Sequence, residues 1–322
     1  MKHCFIVNPR AGKGRLAGQM REKVVAACEA KGVSYDVFMP ESLEQSCDYI
    51  RRMAEERGDE EVIFYACGGD GTVCQTVAEV MRLPDRKGIS VGVVPIGTGN
   101  DFVRVFENKE QFLSPEAQLE GRGIAIDLIR CNDAYSINMI NIGFDSEVAS
   151  KKEELGRKPY LPGKMGYILG LVICLIKKPG VAMRISADGG PYEHKKLLLT
   201  TLANGRFCGG GFHSNPVACL NDGQIDMMEI QNVTRCRFLT LVGSYKKGTH
   251  LCEKNKKIVR GYKAKQVHMI FDTPMHVSVD GEIRTLEEAT VSLETQALKL
   301  WLPDGVLPLR ESFSEQKQEA SV

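Results

Sequence analysis

The sequence predicts an α/β domain followed by a β-rich domain, and three observations carry the prediction. Strand-like and helix-like patterns alternate up to Asp127, after which the texture changes to short, closely spaced strands. Glycine-rich breaks follow two of the early strands, whereas Asp-Gly turns separate several of the later ones. At 322 residues the chain is long enough for two domains. A β-α-β-α order argues for a mostly parallel sheet covered by helices, and strands punctuated by turn signals argue for an antiparallel sandwich. The expected division is 1–127 and 128–302.

In the first domain Cys4–Val7 is a short apolar run ending at Asn8-Pro9, and a helical pattern runs from Leu16 to Lys31 before Gly32. Ser34–Phe38 reads as a strand, and Leu43–Arg57 as an amphipathic helix. Glu61–Cys67 is the clearest buried strand, broken by Gly68-Gly69. Thr72–Met81 is helical, and Ile89–Pro95 is a strand broken by Gly97-Thr98-Gly99. The second domain is expected to hold strands at Tyr135–Ile142, Val181–Ser186, Lys196–Ala203, Gln224–Gln231, Val267–Phe271, His276–Val279 and Leu298–Leu302. Helical insertions are expected near Val148–Ile176 and Arg235–Lys246, and a polar tail follows Phe313.

Composition excludes several classes. A net charge of +1 gives no global field toward nucleic acid, so none is expected as a partner. The eleven cysteines contain no C-x-x-C pair and read as free thiols of a reducing cytoplasm. The amino terminus does not resemble a signal peptide, and the longest apolar run, Met165 to Ile176, falls short of the roughly 20 residues that span a bilayer. A cytoplasmic protein is expected, its oligomeric state open, with a homodimer one option.

Two strand-to-turn junctions point to chemistry. Gly68-Gly69-Asp70-Gly71-Thr72 and Gly97-Thr98-Gly99-Asn100-Asp101 each lie where a buried strand ends. Glycines there let the backbone approach an anion, and a helix start offers unpaired N–H groups and a positive dipole end. Parallel sheets bind ligands beyond the carboxyl ends of their strands, so both turns should line one phosphate-binding crevice. A third loop, Asn8-Pro9-Arg10-Ala11-Gly12-Lys13-Gly14, fits neither a Walker loop nor G-x-G-x-x-G and is open between solvated turn and phosphate contact. By spacing alone, Asp222-Gly223 and Asp280-Gly281 are hairpin turns, and Asp127 is a strand-end carboxylate.

Together, Asn8-Pro9 with Gly12, the two glycine turns, Asn221-Asp222-Gly223-x-Ile225-Asp226 and Val279-Asp280-Gly281-Glu282 resemble the diacylglycerol kinase catalytic family in motif order. That family includes bacterial lipid kinases and sphingosine kinases, with NAD kinases as more distant relatives. The resemblance implies an ATP-dependent lipid kinase needing Mg2+, with ATP held by Asn8, Pro9, Arg10, Ala11, Gly12, Gly68, Gly69, Asp70, Gly71, Thr72, Gly97, Thr98, Asn100 and Asp101. It implies that the tail 303–322 returns to the first domain. Glu282 matches the proton acceptor, with Asp280 beside it. Asp222 matches a metal ligand helped by the backbone carbonyls of Cys219 and Gln224, while Asp70, Asp101 and Asp127 match a carboxylate cluster holding magnesium through water. The chain departs from the family at Ala11, at Pro40, and at Cys74-Gln75, where Asn-Glu is usual.

The implied acceptor is a lipid hydroxyl, of diacylglycerol or a related lipid. Leu161 to Ile176 with its flanking lysines, and the stretch 235–265 with ten basic residues against Glu253, suggest transient contact with an anionic membrane surface. Two alternatives remain: an NAD kinase-like phosphotransferase, which the Asp280-Gly281-Glu282 segment opposes, and a non-catalytic lipid- or nucleotide-binding protein, which the intact carboxylates oppose.

Overall fold

The computed structural model describes residues 1–144, 146–147 and 180–309; the expected helix at 148–176 and the tail beyond Phe313 lie outside them. Strands β1 (Lys2–Val7), β2 (Ser34–Phe38), β3 (Val62–Gly68) and β4 (Ile89–Pro95) run in the order β2-β1-β3-β4 with every pairing parallel. Helices α1 (Arg15–Lys31), α2 (Leu43–Glu56) and α3 (Asp70–Arg82) connect them. Strands covered on both faces must be apolar throughout, and β3 and β4 are buried at every position. Alternate side chains serve opposite faces: Phe5, Val7 and Ile63 pack with α1 residues Ala17, Met20 and Val24, whereas Cys4, Ile6 and Phe64 pack with Ile50, Met53 and Val77. Ser42 caps α2 by accepting from the Gln45 amide at 3.2 Å, and Gly32, at φ 63°, ends α1.

Two short pieces, β5 (Phe106–Glu107) and α4 (Pro115–Leu119), lead into the second half. There follow β6 (Arg122–Cys131), β7 (Ala134–Ser136), β8 (Met139–Gly143), β9 (Val181–Ala187), β10 (Glu193–Ala203), β11 (Ile225–Gln231), helix α5 (Arg235–Lys247), β12 (Val259–Ala264), β13 (Gln266–Val279), β14 (Glu282–Leu302) and β15 (Leu307–Pro308). All pairings among β8 to β13 are antiparallel. Both β10 and β13 pair with β8 at one end and with β9 at the other, enclosing Ile140, Ile142, Met183, Leu197, Val267 and Val277.

The two halves share one sheet rather than forming two. At 21 residues, β14 pairs with β13 from Glu282 to Ser292, with β6 from Val291 to Leu302, and in parallel with β4 at Leu300 and Trp301. β15 pairs with β5, which brings the chain back to the first half. Two expected strands, Val267–Phe271 and His276–Val279, are one strand whose register shifts between Ile270 and Met275. Pro274 lies in that interval and has no N–H for the ladder. The expected strand Tyr135–Ile142 is divided instead, into β7 and β8.

Candidate functional site

The two glycine turns close on each other. The Gly97 amide donates to the Gly68 carbonyl at 3.0 Å, and a Cβ on Gly97 would overlap the Cα of Gly69. A Cβ on Gly68 would overlap the Thr72 side chain, and one on Gly99 would overlap Oδ2 of Asp70. Glycine is therefore required by close approach, not only by turn geometry. Gly69 caps α3, so Asp70, Gly71 and Thr72 form its first turn, where the leading amides have no carbonyl one turn back. Asp70 Oδ1 accepts from the amides of Asp101 (2.7 Å) and Phe102 (3.5 Å), which fixes the second turn against the first. Asn100 sits in the left-handed region at φ 51° and donates to the carbonyls of Pro95 and Gly97. Thr98 is exposed at the tip.

The third loop joins them. Asn8 Nδ2 donates to Thr72 Oγ1 at 3.0 Å, while its Oδ1 accepts from the Arg10 amide. Pro9 is half-buried, Arg10 exposed and Ala11 buried; Gly12 takes φ 56°, with Leu16 where a Cβ would stand. Pro40, another departure, is buried after β2. Behind the turns lies a void of only about 10 Å3, lined by Gly68, Gly69, Asp70, Asn100 and Phe102. A larger cavity, about 560 Å3, lies elsewhere between the ends of α2 and α3, where Arg51 and Arg82 pair with Glu79 and Arg57 with Asp85.

One part of the crevice escaped sequence reading. Gly209, Gly210 and Gly211 take φ of 60°, 82° and 108°, and the Gly210 amide donates to Asp101 Oδ2 at 2.8 Å. Arg104 binds Asp101 Oδ1 and the Gly99 carbonyl. Burial pushes the Asp101 carboxyl above its ordinary range, with Asp70 adding to the effect and the Gly210 amide and Arg104 opposing it. The sequence shows the glycine triplet, but nothing in it connects residues 209–211 to the second turn.

The second-half carboxylates are arranged differently. Asp127 is buried; its Oδ2 accepts from the Gly223 amide and its Oδ1 from the Gln296 amide, so it braces the loop that carries Asp222. Among the described residues no three His, Cys, Asp or Glu side chains converge to hold a metal. Asp222 pairs with Lys263, whose ammonium also lies 3.2 Å from Asp226. Lys263 stands opposite Asp226 in the β11–β12 ladder, which tethers the charge there. The carboxyl of Asp226 is pushed up to about 6 by burial, with Lys263 opposing. A divalent cation at Asp222, with the Cys219 and Gln224 carbonyls, would stand beside this ammonium and compete with it for the carboxylate.

Asp280 and Glu282 sit at the same two-residue hairpin but meet different partners. Asp280 and Gly281 take φ of 47° and 94°, as the two central residues of a type I′ turn must. The Asp280 carboxylate accepts from Ser136 Oγ (2.7 Å) and the amides of Ile137 (2.8 Å), Asn138 (3.2 Å) and Met139 (2.8 Å). Burial pushes it up to about 6 against those four donors. This carboxylate divides Tyr135–Ile142 by capturing the amides between β7 and β8. Glu282 is half-buried, and its Oε1 accepts from Gln75 Nε2 at 3.2 Å.

Comparisons with known proteins follow the same two halves. Residues 2–131 match the diacylglycerol kinase catalytic domain, and residues 138–302 match the YegS C-terminal NAD kinase beta sandwich-like domain. A diacylglycerol kinase of Staphylococcus carnosus is 28% identical over 305 residues, covering 94% of this chain and 95% of the relative. One of Bacillus subtilis is 30% identical over 229 residues, covering 68% of this chain and 71% of the relative. The crystal structure of a diacylglycerol kinase from Bacillus anthracis superposes with a TM-score of 0.68 at 20% identity, covering 93% of this chain and 96% of that one, which shows the same fold. With both halves matched in order, the chain belongs to the diacylglycerol kinase catalytic domain family.

Proposed function

We propose that this chain is an ATP-dependent lipid kinase that transfers the γ-phosphate to a lipid hydroxyl, of diacylglycerol or a closely related lipid. The observation that carries the reading is the contact between Gln75 and Glu282. Gln75 lies on α3, whose first turn is the glycine cradle, about 7 Å along the helix from Asp70. One helix therefore ties the phosphate turn to a carboxylate facing the acceptor side.

Phosphoryl transfer asks the protein for positioning and charge neutralisation. In this reading residues 1–127 with 303–322 hold ATP, through Asn8 to Gly12, Gly68 to Thr72, and Gly97 to Asp101. Residues 128–302 receive the lipid. Glu282 accepts the proton of the acceptor hydroxyl as that oxygen bonds to the γ-phosphorus; the bond from phosphorus to the bridging oxygen breaks and ADP leaves. Asp70 Oδ2, which carries none of the hydrogen bonds above, is the carboxylate oxygen that would hold a magnesium ion through water, and the ion would supply charge neutralisation at the phosphates. Asp101 supports Asp70 from the second turn.

No helix among the described residues is long and apolar enough to cross a membrane. Lys246, Lys247, Lys254, Lys256, Lys257 and Arg260 are exposed around the end of α5, which supports transient docking on an anionic surface. The apolar stretch 161–176 lies outside the described residues.

Incubation with labelled ATP and a panel of lipid hydroxyl acceptors tests the reading. Lipid is expected to take label, and Glu282→Gln is expected to cut turnover about 10²- to 10⁴-fold while sparing ATP binding. Label on NAD with none on any lipid would overturn it in favour of the NAD kinase-like alternative.

A further inference from the structure

The sheet of the second half carries a row of polar side chains that the rest of the chain leaves unanswered. Asn141 on β8 is paired in register with Ser278 on β13 at one side and with Thr201 on β10 at the other. All three are buried, and among the described residues Asn141 Oδ1 and Thr201 Oγ1 meet no hydrogen-bond partner. We infer that this row binds the uncharged headgroup of the lipid acceptor and so selects a neutral glycerolipid over a lipid with a charged headgroup. The inference rests on the lipid kinase reading.

Buried polar groups are nearly always hydrogen-bonded, so two orphans side by side call for a partner from outside. Thr200, the preceding residue, shows what a structural threonine does in this strand: its hydroxyl donates to the Met228 carbonyl at 3.0 Å. An amide and two hydroxyls both donate and accept, which suits the ester and hydroxyl oxygens of a glycerolipid. Neighbouring strands lie about 4.8 Å apart, so the row spans about 10 Å, enough for a glycerol and its ester groups. No charged side chain stands in the row. An ammonium or phosphate bound there would be buried without a counter-charge, which is costly.

The surroundings suit an amphiphile. Side chains alternate between faces, so the row stands opposite the core of Ile140, Ile142 and Val277. On its own face Leu199, two residues from Thr201, and Met228, opposite Thr201 on β11, belong to an apolar cluster with Phe238 and Leu241 of α5. The row is also tied to the hairpin that carries Glu282. Asp280, between Ser278 and Glu282 in the chain, accepts from the amide of Met139, two residues before Asn141.

The test measures phosphorylation of dioleoylglycerol, sphingosine and phosphatidylglycerol in detergent micelles by the full chain and by Thr201→Val and Asn141→Leu. The wild type is expected to prefer dioleoylglycerol about tenfold over either charged lipid. Each variant is expected to raise KM for dioleoylglycerol about tenfold at unchanged KM for ATP, through the loss of a hydrogen bond to the headgroup. Thr201→Val, which keeps the side-chain shape, is expected to melt no lower than the wild type, because it removes a buried hydroxyl without a partner. A wild-type KM for dioleoylglycerol in Thr201→Val overturns the inference whatever its melting temperature, and so does a wild type that prefers a charged lipid. If Asn141→Leu does not fold, Thr201→Val decides alone. A wild type that labels no lipid fells the kinase reading and this inference with it; one that labels dioleoylglycerol, with variants that keep its KM, fells only the role of the row.

Discussion

The glycine turns of the first half and the Asp-Gly turns of the second half look alike in sequence, yet their carboxylates face different tasks. In the first half Asp70 gives one oxygen to the amides of Asp101 and Phe102 and keeps the other beside Gly99, at the crevice. In the second half Asp127 and Asp280 have both oxygens engaged by donors of the protein, and Asp222 is paired with Lys263. Glu282, a single residue beyond the Asp280 turn, meets only the neutral amide of Gln75 among the described hydrogen bonds. A carboxylate whose oxygens are consumed by buried donors holds the fold; one with an oxygen to spare can hold a substrate or take a proton.

Three perturbations sharpen that contrast. The largest effect is expected at Gly97→Ala, which sets a Cβ against the Gly69 backbone and forces the turns apart. Nucleotide affinity, read by equilibrium titration with ATP, should fall about 100-fold, with a loss of a few degrees in melting temperature from the overpacked turn; normal affinity would break the link between the two turns. Next, Asp280→Asn leaves several of four donors poorly matched and should cost about 3 kcal/mol in denaturant unfolding. Its pH dependence has a definite sign. The folded-state carboxyl is pushed up to about 6 from an ordinary value of 3.8, so the folded chain keeps a proton that the unfolded chain releases. That contribution is complete below about pH 4 and is lost as pH rises through about 6. The deficit of Asp280→Asn should therefore shrink between pH 4 and pH 7, by about 2 kcal/mol.

The smallest effect is expected at Lys263. This partly exposed ammonium supplies the positive charge beside Asp222 and Asp226, and Lys263→Met should cost about 1 kcal/mol, a shift of a few degrees in melting temperature. Chelator should leave the wild-type melting temperature unchanged. A wild type that melts several degrees lower in chelator would show that a metal ion, and not Lys263, balances this loop.

Much of the first half was legible because its signals are local. Buried parallel strands are apolar runs and their ends are glycines, so Ser34–Phe38 and Ile89–Pro95 were found to the residue. The second half hides its logic in pairing. Most of β14 alternates charged and apolar side chains and shows as a strand only when β6 and β13 lie beside it. Motif order identified Glu282, but no local pattern indicated that Gln75, 207 residues earlier, would reach it. Lys263 likewise became visible only through its place opposite Asp226, and the glycines at 209–211 only through the hydrogen bond to Asp101.

The division between bracing and reacting carboxylates is tested most directly by measuring turnover and thermal unfolding together for Glu282→Gln and Asp280→Asn. The account predicts that Glu282→Gln melts like the wild type and loses turnover about 10²- to 10⁴-fold, whereas Asp280→Asn melts well below it. Wild-type turnover in Glu282→Gln, or an unchanged melting temperature in Asp280→Asn, would contradict it.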